Sequence, residues 1–515
     1  MNINVSRPRS RSQEIRESLG HPIIDGDGHT QDLLPVLMEF IAEVGGNRMV
    51  DRYREHPLYK FVVHQEALGT TLEQRRHDGR IFDCWWGYPS KTFDRATSML
   101  PGLLEDRMGE LGLDFAILFP SESGIVVSMD DEDMMLAGCR AHNMMTAQIF
   151  GPHSRYMTPT AVIPMKKPEQ AAAEVEYAVG VLGLKTLNFG GSPRREIPGY
   201  AKRFPEASRH MTRPELFGID SDYDYDILWA KCQEMKVAAC FHAKELRQSF
   251  SSYVFNHIGA FTQGNEKICK ALFMGGVTRR FPELNFGFLE GGVGWACSLY
   301  ADLIGHWEKR NPEGLENTNP ARLDRARMLA LAEKYAKPEV LEAMRRGQGL
   351  DDNGNGTGGV EHLDDYWRCE ITRKEDFKDL YVKRYYFGCE ADDPINAWAF
   401  NKKALPMGAR LNAFFSSDIG HFDVPDMTGV VPEAYELVEH GLLDDSDFRD
   451  FTFANAVRFW GEVNPDFFKG TVVEREAVEV LAQREAIRGQ AGACPEAAAS
   501  VVQPVKEENH GRIAS

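Results

Sequence analysis

Eight short apolar runs, each separated from the next by a stretch of helical spacing, constrain this chain more than any other feature. The runs are residues 22–29, 115–121, 157–164, 184–190, 237–243, 285–291, 384–390 and 411–418. Between them lie segments such as DEDMMLAGCRAHNMMTAQIF and VGWACSLYADLIGHWEKR, whose apolar residues recur at three- and four-residue spacing. Strand and helix patterns in alternation predict βαβ units and a parallel sheet, since parallel neighbours need a crossover to return the chain to the same end. Eight such units predict an α/β fold that closes as a (β/α)8 TIM barrel. An open doubly wound sheet is the alternative, and it asks for fewer strands and a phosphate-binding turn near the start.

Gly354, Gly356 and Gly359 satisfy a GxGxxG spacing, but Asp351 and Asp352 precede them where a dinucleotide turn needs a strand. They read as a flexible loop. Three stretches exceed what a bare barrel requires: about 30–104 after the first strand, 191–223 after the fourth and 308–383 after the sixth. Long insertions of this kind usually build the walls of a site. The barrel is expected over 21–470, flanked by a disordered arm at 1–20 and, over 471–515, by a charged helix and a disordered tail.

The formal net charge of −18 disfavours nucleic acid and anionic membranes as partners. No apolar run reaches the roughly 20 residues a spanning helix needs, and the first 20 residues lack the apolar core of an export signal. Nine cysteines without a CxxC pair suit reduced thiols. The expectation is a cytoplasmic protein acting on a small molecule, with a two-fold homodimer as the base-rate oligomer.

Chemistry-bearing residues gather at the ends of three runs. IIDGDGHT ends in Asp25, Asp27 and His29, which strict alternation places on one face of the strand. Asp and Gly at such positions also make ordinary turns. His242 closes the apolar run VAACFHA, where a histidine serves equally as a hydrogen-bonded core residue. Asp418 follows NAFFSS, with His421 three residues later, and an acid so placed can also cap a helix. Taken together, Asp27, His29, His242 and Asp418 make a hard-to-borderline ligand set that suits Zn2+ first and tolerates Mn2+, Fe2+ or Co2+.

These segments, with RRFPELNFGFLEGGVGW along the sixth run, resemble the ACMSD-related branch of the amidohydrolase superfamily, often called amidohydrolase 2. The resemblance spans roughly 22–465 and implies a distorted TIM barrel with a divalent metal. Two departures matter: the first metal position of the first run, commonly a His or a carboxylate in relatives, is Asp27, and Glu290 stands where the decarboxylases of that branch carry a histidine. Lysine is also absent from the end of the fourth run, where binuclear relatives carry a bridging carboxylated lysine: Lys185 lies at its start and Asn188 and Gly190 near its end. One metal is therefore expected. Such an ion lowers the pKa of a bound water from about 16 towards about 7.

On this reading Asp418 is both ligand and proton acceptor, while Glu290 and His421 orient groups or deliver a proton. Their alternatives are a capping Glu and a surface His. Lys244, Arg247 and His257 are candidates for substrate contact, as are Trp85 and Trp86 in the aromatic segment DCWWGYP. All five serve equally well as solvated or packing side chains. The expected function is a metal-dependent hydrolase of a small cyclic or aromatic molecule. A non-oxidative decarboxylase of an aromatic or unsaturated acid is the first alternative, and a catalytically silent binding subunit the second.

Overall fold

The computed structural model describes residues 9–62, 71–77, 91–121, 123–207, 211–244, 252–319, 322–350, 362 and 364–492. Trp85, Trp86, Arg247, the Gly354–Gly359 loop, residues 1–8 and the tail from 493 lie outside that set.

Eight parallel strands run in the order of the chain: β1 (Ile24–Thr30), β2 (Phe115–Pro120), β3 (Met157–Val162), β4 (Thr186–Asn188), β5 (Ala239–Phe241), β6 (Phe286–Phe288), β7 (Tyr385–Cys389) and β8 (Asn412–Phe415). Each pairs with its sequence neighbour, and helices occupy the crossovers. This is the TIM barrel the alternation predicts, and each strand falls inside its apolar run except β1, which extends one residue past it to Thr30. The runs carry apolar residues on both faces because helices cover the outside and side chains fill the inside. Phe241, Phe286, Phe288, Phe387 and Phe414 are fully buried in one continuous core.

The barrel closes between β1 and the segment just after β8. There the His29 amide donates to Ile419 O at 2.8 Å and the Asp418 amide to Asp27 O at 3.0 Å. A glycine is required at the seam, since a Cβ on Gly26 would sit 2.3 Å from the Phe414 ring.

Two expectations are corrected. Residues 11–18, read as part of a disordered arm, form a helix whose N-cap Ser10 accepts from the Gln13 amide. That helix buries Ser12 and Ile15, and Arg16 pairs with Asp114 at the mouth of β2. The strict alternation along β1 also fails: its register against β2 shifts between Asp25 and Gly28, a bulge that inserts one extra residue. Asp25 is thereby parted from Asp27 and His29.

The first insertion is anchored by packing. Its helices Leu34–Gly45 and Asn47–Glu55 bury Leu37, Ile41 and Tyr53 against helix Glu132–Phe150, each worth roughly 1.5–3 kcal/mol. The second insertion, read as aperiodic, holds an antiparallel hairpin, Arg194–Glu196 with Thr212–Pro214. Among the described residues, no helix is long and apolar enough to cross a membrane.

Candidate metal centre

The strand ends deliver their side chains to two adjoining groups that share His29. Asp27 and His29 come from β1, His242 follows β5, Glu290 follows β6, and Asp418 and His421 follow β8. Asp27, His29 and Asp418 are at most 3% exposed, and Glu290 is 7% exposed. His29 Nε2 lies 3.0 Å from Asp418 Oδ1 and 3.5 Å from Asp27 Oδ1. His242 Nε2 lies 2.8 Å from Glu290 Oε2 and 3.7 Å from Asp27 Oδ2. His421 Nδ1 lies 2.8 Å from Asp418 Oδ1.

These approaches are close but badly aligned for hydrogen bonding. Asp27 Oδ1, His29 Nδ1 and Nε2, His242 Nε2, Glu290 Oε2 and both oxygens of Asp418 are buried without a hydrogen-bond partner. A buried unpaired polar atom costs about 1–3 kcal/mol, more if charged, so this cluster calls for a partner, with one ring nitrogen of His29 turned to it. Lone pairs that converge on a point and not on each other's protons are the arrangement a cation satisfies. No Lys or Arg nitrogen lies within 4 Å of the three carboxylates among the described residues.

Burial holds the Asp27 and Asp418 carboxyls well above the usual range. The same burial pulls His29 well below its usual value, leaving a neutral imidazole of the kind that binds metal. Glu290 goes the other way: burial pushes it up, but His242, His257 and His421 together outweigh that.

Two of these residues sit in a backbone conformation that L-residues rarely adopt, Glu290 at φ 56° and Asp418 at φ 53°. Left-handed non-glycine residues persist where the surroundings over-determine them, and they cluster at functional sites. Here each turns the chain sharply as it leaves the barrel, so that its carboxylate faces inward.

Asp25 belongs to the frame. Its carboxylate accepts from the Ser417 amide at 2.9 Å, Ser417 Oγ at 2.5 Å and the Asp27 amide at 3.2 Å, linking β1 to the end of β8. Burial lifts its pKa to about 6 against those three bonds.

Of the candidate substrate contacts, His257 Nε2 lies 3.5 Å from Glu290 Oε1, and Lys244 Nζ sits 5.2 Å over the Phe261 ring. Two cavities open on the centre. One of 540 Å³ is lined by Ser121, Lys166, Asn188, Gly191, His242 and Lys244. The other, of 270 Å³, is lined by His257, Thr262, Glu290, Glu390, Asp393 and Asp423. Its carboxylates crowd one another, and burial with that crowding raises Glu390 to about 8.

Three contributors escape a reading of the sequence. Ser121, at the end of β2, places Oγ 3.1 Å from His421 Nε2. Glu390 ends β7. Asn265 is the third: its Nδ2 donates to Leu289 O at 2.7 Å and its Oδ1 accepts from the Ala243 amide at 3.3 Å, so one side chain ties the residues flanking His242 and Glu290. The available signal was a polar residue on the apolar stripe of helix Ala260–Met274, between Phe261 and Ile268. We predict that Asn265→Ala, which leaves both backbone groups unpaired, lowers stability by about 1–3 kcal/mol. It should also weaken divalent-ion affinity by about 10–100-fold. Denaturant unfolding and metal titration of the same variant check both; unchanged ion affinity would show that the strand ends hold their positions without it.

Residues 95–328 match the amidohydrolase family model, in agreement with the resemblance read from the motifs. No curated protein matches the chain. Among solved structures, an amidohydrolase from Mycobacterium avium subsp. paratuberculosis is 15% identical, covering 86% of this chain and 100% of its own, with a TM-score of 0.47. A 2,6-dihydroxybenzoate decarboxylase from Rhizobium is 12% identical over 85% of this chain and 98% of its own, with a TM-score of 0.45. A 4-oxalomesaconate hydratase from Rhodopseudomonas palustris is 14% identical over 90% and 99%, with a TM-score of 0.43.

Proposed function

With the amidohydrolase match as premise, we propose that this chain is a metal-dependent hydrolase of a small cyclic or aromatic molecule, its divalent ion held by Asp27, His29, His242 and Asp418. The observation that carries this reading is the convergence of buried donor atoms that have no hydrogen-bond partner. Two imidazoles and two carboxylates suit Zn2+, with Mn2+, Fe2+ and Co2+ as alternatives. Bound there, a divalent ion polarises a substrate oxygen and acidifies water.

The chain's own groups supply the rest. Asp418 Oδ1 receives the proton of the attacking water, and His421 Nδ1, 2.8 Å away, is placed to hold the imidazole against that carboxylate. Glu290, between His242 and His257, is placed to orient those two imidazoles. The 540 Å³ cavity beside His242 has room for a small ring.

Decarboxylation is the second reading, favoured by one feature: Lys166 and Lys244 line that same cavity, and cations there would hold an acid group. Lys166 Nζ already donates to Met129 O and Asp130 O at 2.7 Å, which fixes its position at the wall.

Plasma mass spectrometry on protein purified without chelator or added metal tests the premise. About one tightly held dication per chain is expected. No metal, and no uptake on titration, would remove the metal-dependent reading and leave a binding subunit. Turnover of cyclic amides and esters against CO2 release from aromatic acids then separates hydrolase from decarboxylase.

A further inference from the structure

The larger cavity has a cation built into its wall. Lys166 follows β3, and its Nζ donates to the carbonyls of Met129 and Asp130, each at 2.7 Å. Both acceptors are neutral. The neighbouring acids are engaged elsewhere: Asp130 Oδ1 lies 3.0 Å from His56 Nε2, and Glu132 Oε1 accepts from Lys167 Nζ at 2.7 Å and Gln170 Nε2 at 2.6 Å. Among the described residues Lys166 forms no ion pair. Burial pulls its ammonium below the usual value, and Asp130 and Glu132 only partly offset that. A fixed ammonium that lines a cavity without a counter-charge is the form a preorganised anion site takes.

The second insertion supplies the mount. Arg195, in its hairpin, donates to Lys166 O and to Tyr225 Oη at 3.1 Å, and its Nε donates to the buried Glu215 carboxylate at 3.0 Å. Tyr225 Oη donates in turn to Met165 O at 2.7 Å. The backbone of Met165 and Lys166 is thus tied from one side and the ammonium from the other. Arg194, beside Arg195 on the hairpin, lines the same cavity together with Lys244.

We propose that Lys166 is the specificity-determining residue of this cavity and holds an oxyanion of the substrate, such as a carboxylate, that the reaction leaves in place. This rests on the proposed function only in taking the 540 Å³ cavity as the place of the substrate. The group is retained for an energetic reason. Decarboxylation moves negative charge from the carboxylate to carbon, so a cation fixed on that carboxylate stabilises the starting state more than the transition state. The oxyanion at Lys166 is therefore a handle, and the bond that breaks is a different one. Binding energy from such a non-reacting group serves to orient the part that reacts.

The experiment is calorimetric titration of the full chain, as purified and after chelator treatment, with benzoate, phenyl phosphate and neutral benzamide. Lys166→Met should weaken benzoate about 10–100-fold and leave benzamide affinity and metal content unchanged. Lys166→Gln, which keeps a donor for one carbonyl without the charge, should lose benzoate to the same degree and serves if the Met variant fails to fold. Tyr225→Phe should weaken benzoate by about 2–10-fold as the mount loosens. Phenyl phosphate binding more tightly than benzoate, with the same dependence on Lys166, makes the handle a phosphate. Benzoate binding that survives both Lys166 variants overturns the site, and its loss on chelation would then put the probe on the metal. Failure of both anions to bind the parent chain overturns it as well. Benzoate held through Lys166 by a chain that takes up no metal overturns the proposed function and keeps the handle.

Discussion

His242→Ala should lose the tightly held dication, with affinity falling at least about 100-fold, while Asp418→Asn should keep much of it and lose turnover. The two substitutions separate because the residues do different work. His242 offers one nitrogen that nothing else at the end of β5 replaces. Asn at 418 keeps one oxygen for coordination but accepts no proton. A group that moves a proton in the transition state contributes about 10²–10⁴-fold, so kcat should fall by that factor with KM little changed. Metal analysis and steady-state kinetics on both variants decide it. Full metal and full activity in both, with native circular dichroism, would place the chemistry elsewhere.

The largest loss of stability is expected at Arg107. Its guanidinium is 2% exposed and bonds Asp94 Oδ1 at 2.8 Å, Thr97 Oγ1 at 2.7 Å and Glu110 Oε2 at 3.1 Å. It joins helix Thr92–Met99 of the first insertion to helix Pro101–Leu111, which leads into β2. Arg107→Ala strands the buried Asp94 carboxylate, and breaking one side of such a pair costs about 3–5 kcal/mol. The thermal transition should drop by about 3–5 °C. Pairing Arg107→Met with Asp94→Leu should recover most of the loss, since the cost lies in the unpaired charge and not in the missing attraction. If the single variant melts like the parent, the buried network contributes nothing net. The effect should reach the metal centre, because the Gln31 amide, just past β1, donates to Ser98 O at 2.9 Å.

The strands were legible because a doubly covered strand must be apolar on both faces, which leaves a run such as VAACFHA unmistakable. The candidate residues at their ends were legible as neighbours: Asp27, His29, His242, Glu290, Asp418 and His421 gather in two groups that share His29. What pattern does not carry is backbone departure from the regular. The β1 bulge is invisible to an alternation rule, which put Asp25 with Asp27 and His29, whereas Asp25 is spent on Ser417. The left-handed turns at Glu290 and Asp418 are unreadable for the same reason, as both are residue types that seldom adopt them. The N-terminal helix was missed because it buries a single large apolar residue, Ile15, too little for periodicity to register. Its N-cap serine was the one local cue.

Consider finally how the cylinder is shut. Among the described residues, few hydrogen bonds cross between β1 and the segment after β8, among them two between backbones and two from Ser417 to Asp25. Asp27 and His29 stand on one side of that line and Asp418 on the other, so an ion gripping all three works as a clasp across the join. A ligand that binds the folded chain alone adds about 4 kcal/mol of stability at a thousand times its Kd. On the proposed reading the fastening would coincide with the ion's site: removing the cation should loosen the molecule along that edge, with amides 25–29 and 416–419 the first to trade their protons with solvent.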